Sequence, residues 1–89
     1  MSEEVFLLIK ELNSADSEDR RLFQDLLVKS LNILNISEVD FGRDIQLGNS
    51  TIKRWKEGFG CPAVYIREHV YALLIKHAKE TIRKRRLYE

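Results

Sequence analysis

Three side chains of this sequence belong to the types that ligate transition metals or act as nucleophiles beside a base: Cys61, His69 and His77. Their spacing works against both uses. The two histidines are eight residues apart, two helical turns rather than the single turn that brings two imidazoles to one ion, and Cys61 precedes any helix that begins after Pro62. A lone cysteine provides neither an internal disulfide nor a Cys-rich zinc framework. His77 reads as a partly buried helix residue and Cys61 as a loop residue. No Ser/His/Asp grouping, phosphate-cradling glycine loop or carboxylate pair has a supporting context. The expectation is a protein that is not an enzyme, with no metal, no cofactor and no evident small-molecule ligand. What stands out instead is the polar, basic run Asn49, Ser50, Thr51, Lys53, Arg54 and Lys56, interrupted by Ile52 and Trp55. Ile52 and Trp55 are three apart and face inward on a helix, so Trp55 is a core residue rather than a stacking platform, and the donors are left outside. Exposed Lys and Arg are ordinarily just solvated charges, so their meaning depends on the elements that hold them.

Those elements are helical nearly throughout, and the fold class predicted is all-α, a bundle of about five helices with no internal repeat. A first helix over 2–13 has Ser2 as its expected cap, Glu3 and Glu4 opposing the helix dipole, and Val5, Leu8, Ile9 and Leu12 on one face. After a polar turn, Asp16 or Ser17 is expected to cap a second helix that carries Leu22, Phe23, Leu26, Leu27, Leu31 and Leu34. Ser37, with Glu38 and Asp40 behind it, caps a third from Glu38 to about Ile45. Asn49 or Ser50 is expected to cap a fourth that runs to about Glu57, where Gly58 stops it. A fifth follows Pro62 with a stripe of Ile66, Val70, Leu73 and His77 or Ala78, and continues through Ile82 into the basic end, 79–89.

The third and fourth segments are two short helices joined by about four residues, with the second rich in polar and basic groups. Phe41, Ile45, Leu47, Ile52 and Trp55 are placed to pack them together, and Gly42 falls where they cross, at a position too crowded for a large side chain. The 22 residues from Ser37 to Gly58 resemble, without a gap, the helix-turn-helix of the phage repressor and Cro (XRE-like) family. The resemblance rests on Ser37, Phe41-Gly42, Leu47, Ser50-Thr51-Ile52, Trp55, Gly58 and Pro62, and it extends over a repressor-like core at 17–78. The sequence departs from the family at Gln46, where a glycine usually opens the turn, and at Lys56, where an acid usually follows the aromatic. It departs also at Glu38, often Gln in the family and poorly suited to meet phosphate.

The resemblance implies a sequence-specific regulator of transcription that binds double-stranded DNA, with a recognition helix at about 50–57 in the major groove. It makes Asn49, Ser50, Lys53 and Arg54 the candidate base readers. Arg or Lys donates to guanine O6 and N7, and Asn pairs with adenine N6 and N7. Ser37, Thr51 and Lys56 become candidate phosphate contacts. It also implies a homodimer, because one recognition helix reads few base pairs.

Charge supports a polyanionic partner. The net charge is only +1, but residues 1–48 hold five Lys and Arg against ten Asp and Glu, a net −5, whereas 49–89 hold ten against four, a net +6. The run Arg83 to Arg86 either complements the end of the last helix or forms an arm on phosphates. The first helix either covers the core or contributes to a dimer interface. At 89 residues and 44% apolar composition, one small domain is expected over 1–89. No membrane span or leader is apparent, so the expected compartment is the cytoplasm of a prokaryotic cell, around its nucleoid. The rival reading is a helical protein-interaction module, antitoxin-like or adaptor, in which the acidic half meets a basic partner; an RNA-binding regulator is a third.

Overall fold

Apolar residues at helical intervals need partners, and among the described residues five helices supply them around one core. The computed structural model describes residues 2–87, with side chains over 3–86. Its helices are α1 (Ser2–Ser14), α2 (Arg20–Leu34), α3 (Glu38–Ile45), α4 (Asn49–Glu57) and α5 (Val64–Leu87). Among the described residues there is no strand, and no helix is long and apolar enough to cross a membrane. The cap expected at Ser2 and the last three residues of the basic end lie outside the described side chains.

The core is built on α2, whose Phe23, Leu26, Leu27, Leu31 and Leu34 are all buried. α1 lays Val5, Leu8 and Leu12 into the same core and packs mainly along α5. Of the two roles open to the first helix, covering the core is thus the one its buried face performs, while Phe6 and Leu7 stay half exposed on the other side. Phe23 sits at the centre, edge-on to Trp55 of α4 with ring centroids 5.9 Å apart and 5.8 Å from Tyr71 of α5. Such aromatic pairs add specific geometry to the area they bury.

Several local expectations shift. Asp19, not Asp16 or Ser17, caps α2 by accepting from the Leu22 amide at 3.0 Å. Asp16 is already committed to its own turn, since its carboxylate accepts from the Glu18 amide and its carbonyl from the Asp19 amide, both at 3.0 Å. On α5 the buried line runs through Arg67, Val70, Tyr71, Leu74 and Ala78; of the expected stripe of Ile66, Val70, Leu73 and His77 or Ala78, Val70 and Ala78 lie on it. Apolar residues flank this line on both sides, with Ile66, Leu73, Ile75 and Ile82 partly buried. Periodicity alone therefore could not locate its centre.

α3 and α4 meet at closest range beside Gly42. A methyl group there would lie 2.6 Å from the Leu47 carbonyl oxygen, while the Leu47 amide donates to the Gly42 carbonyl at 2.8 Å. The gap that sequence reasoning assigned to the Leu47 side chain is filled by its backbone, and the side chain is 38% exposed. Replacing Gly42 with Ala should lower the unfolding free energy by about 1–3 kcal/mol. Ala at Gly48, where a Cβ meets nothing closer than Ser50 Oγ at 3.8 Å, should cost no more than about 1 kcal/mol. Urea denaturation followed by circular dichroism measures both; equal losses would contradict the close approach.

Candidate nucleic-acid interface

Two short helices present a polar face only if the chain between them takes a fixed path, and their caps and turn set it here. Ser37 caps α3 by accepting from the Asp40 amide at 3.0 Å. α3 then ends on Gln46 in the left-handed region, φ 62 and ψ 38. That conformation is usually left to Gly or Asn, so the departure from glycine at the turn keeps the backbone geometry and accepts some strain. Gly48, not Asn49 or Ser50, occupies the cap position of α4 and offers no side-chain hydrogen bond. Asn49 and Ser50 are therefore residues of the first turn, with side chains that cap nothing.

α4 has two faces. Ile52 and Trp55 are buried. Asn49, Ser50, Lys53 and Arg54 are exposed, with Ser50 one turn from both Lys53 and Arg54, as the sequence anticipated. Thr51 lies half-buried at the flank. Glu57 is exposed one turn beyond Lys53 and Arg54, an acidic boundary to the basic face. The far end of α4 is gripped by α2: Gln24 Nε2 donates to the Lys56 carbonyl at 3.0 Å. Gly58 closes the helix at φ 80 over the same Gln24 amide.

Ion pairs sort the candidate cations. Lys56 Nζ lies 3.2 Å from Glu38 Oε2, with both side chains about three-quarters buried. The lysine expected to meet phosphate thus joins α4 to α3, and the acid set aside as repulsive is its partner. Among the described residues, Lys53 and Arg54 make no ion pair. Asp44 of α3 contacts His77 of α5, Oδ2 to Nε2 at 2.8 Å, and the His77 ring is tilted by 55° against Phe41 with centroids 6.4 Å apart. The sequence offered no signal for this pair, 33 residues apart.

The loop after α4 borders two clefts. One, of about 660 Å³, opens between Arg20, Arg21 and Gln24 of α2 and Trp55, Phe59 and Cys61. The other, of about 250 Å³, lies among Thr51, Arg54, Trp55, Gly60 and Cys61. Arg20 and Arg21 were not among the expected site residues, because they belong to a different helix from the run that drew attention. Beneath the loop, Arg67 is 4% exposed and donates through Nη1 to Cys61 Sγ at 3.3 Å. Its Nε and the nearby Tyr71 hydroxyl are buried without a hydrogen-bond partner. Among the described residues no three His, Cys, Asp or Glu side chains are grouped to hold a metal ion.

Comparison with family models, curated proteins and solved structures gave no match to this chain.

Burial pushes the Tyr71 phenol up from 10.0 to about 12, with the Arg67 guanidinium opposing the shift. The folded chain then holds its phenolic proton to higher pH than the unfolded one. The associated stability is complete below pH 10.0 and is lost as pH rises toward 12. Tyr71→Phe removes a hydroxyl that bonds to nothing, so it should be neutral or stabilising at neutral pH. It should also recover up to roughly 3 kcal/mol of the alkaline loss, reached only above the folded value of about 12. Denaturant titrations at neutral pH and above pH 10 check both; an unchanged alkaline slope in the variant would assign the loss elsewhere.

Proposed function

We propose that this chain is a sequence-specific double-stranded DNA-binding regulator of transcription that places α4 in the major groove. The observation that carries this reading is the outward face of α4. Asn49, Ser50, Lys53 and Arg54 are exposed together on a helix whose other face is clamped by α2 and α3. A helix held in this way loses little freedom on binding, which favours discrimination between sequences. Arg54 and Lys53 donate to guanine acceptors, and Asn49 and Ser50 reach neighbouring base edges. Ser37 and Thr51 meet the phosphates on either side. Lys56, first expected on a phosphate, instead has its ammonium on Glu38 and holds α4 to α3.

The α3–α4 pair is the part that resembles the repressor and Cro (XRE-like) helix-turn-helix. Ser37 as cap, Gly42 at the close approach and Gly58 as terminator are structural reasons for that pattern. A homodimer with half-sites ~34 Å apart would give each recognition helix a partner on the same face of DNA, in the prokaryotic cytoplasm where such regulators act. A second reading, a helical protein-interaction module, draws on the exposed Phe6, Leu7, Phe59 and Tyr65.

Selection of bound fragments from a random duplex pool, followed by anisotropy titrations, separates the readings. The DNA-binding reading expects one enriched sequence and affinity that falls steeply with salt. Arg54→Ala should weaken binding to that sequence by about 1–3 kcal/mol and relax one base preference. A pool that yields no preferred sequence sinks the proposal.

A further inference from the structure

Arg67 presents an electrostatic problem that the DNA-binding reading does not use. The residue is only 4% exposed, and a largely buried cation is costly unless an anion meets it. Among the described residues no carboxylate pairs with it. Its side chain makes one hydrogen bond, from Nη1 to Cys61 Sγ at 3.3 Å, and Nε makes none. A neutral thiol is a weak acceptor and a poor counterpart for a full charge. Cys61 itself is exposed, and it lines the cleft of about 250 Å³ beside Thr51 and Arg54, so a small reagent reaches the sulfur and the product has room.

We propose that Cys61 is a peroxide-reactive thiol whose oxidised, anionic form is held by Arg67, and that its oxidation alters DNA engagement by α4. The second half rests on the DNA-binding reading; the first does not. In the reaction, an electron pair on sulfur attacks one oxygen of hydrogen peroxide, and the S–O bond forms as the O–O bond breaks. The departing hydroxide takes the thiol proton and leaves as water. Sulfur is oxidised by two electrons to a sulfenic acid while the peroxide is reduced. Once ionised, the sulfenate supplies the anion that Arg67 lacks, because charge-assisted hydrogen bonds strengthen with charge on the acceptor. The new negative charge shares its cleft with Arg54, where it competes with DNA for the guanidinium.

The test exposes the full chain to hydrogen peroxide with dimedone, which traps the sulfenic acid, and quantifies the Cys61 adduct by mass spectrometry. Labelling at least ~10-fold faster than that of free N-acetylcysteine is expected, with Arg67→Met lowering it toward the free thiol. Labelling no faster than the free thiol overturns the site, whether or not that variant folds. In parallel, peroxide should weaken binding to the selected duplex at least ~5-fold, reversibly with dithiothreitol, and leave the affinity of Cys61→Ser unmoved. Full labelling with unchanged affinity overturns the coupling to DNA. Labelling in a chain that binds no duplex, oxidised or reduced, sinks the DNA reading and the coupling together while the thiol site stands.

Discussion

The close approach of α3 to the turn at Gly42 is the constraint on which the rest of the arrangement depends. With 2.6 Å between an added methyl and the Leu47 carbonyl oxygen, no side chain fits without moving backbone, and backbone in a helix-to-helix turn cannot move alone. Holding the turn fixes where Gly48 starts α4, and this sets which residues of α4 face the core. Were α4 rotated by one residue, about 100°, Ile52 and Trp55 would leave the core and Lys53 would enter it. The polar face is thus a consequence of packing on the opposite side of the same helix.

α2 converts this local geometry into a rigid platform. It supplies Phe23 to both Trp55 and Tyr71 and the Gln24 amide to the last turn of α4. Few tertiary hydrogen bonds are needed because the helices satisfy their own backbones. One of those present, from Gln24 to the Lys56 carbonyl, meets a helix end where carbonyls lack intrahelical donors, and the rest join side chains. The Asp44–His77 and Glu38–Lys56 contacts join α3 to α5 and α4, so the smallest helix of the fold is held at both its first and last turns.

The charge asymmetry has a different structure from the one its sum implies. Acidic residues of the first half neutralise cations locally: Glu11 holds Lys29 at 2.8 Å and Glu38 holds Lys56. Arg67 counts toward the basic half yet is buried under the loop after α4. The net +6 of residues 49–89 therefore overstates the charge on the surface, while Lys53 and Arg54 carry theirs in the open. For an exposed polar face the number of cations matters less than which of them keep their charge unshared.

Helix existence, the Ser37 cap, the Gly58 stop, the burial of Trp55 and the exposure of Asn49, Ser50, Lys53 and Arg54 were legible in the sequence by itself. Each follows from periodicity or from hydrogen bonds that close within one turn. The capping roles of Asp19 and Gly48 were not, because neighbouring Asp, Ser and Asn residues are chemically equivalent until the backbone chooses among them. The tertiary structure alone decided the pairings of Lys56 with Glu38, His77 with Asp44 and Arg67 with Cys61, and the centre of the buried face of α5. The Lys56 and His77 pairs and the buried face of α5 depend on where whole helices cross, and residue spacing within one helix carries no record of the helix that will lie beside it; the Arg67–Cys61 pair is set by the path of the loop into α5.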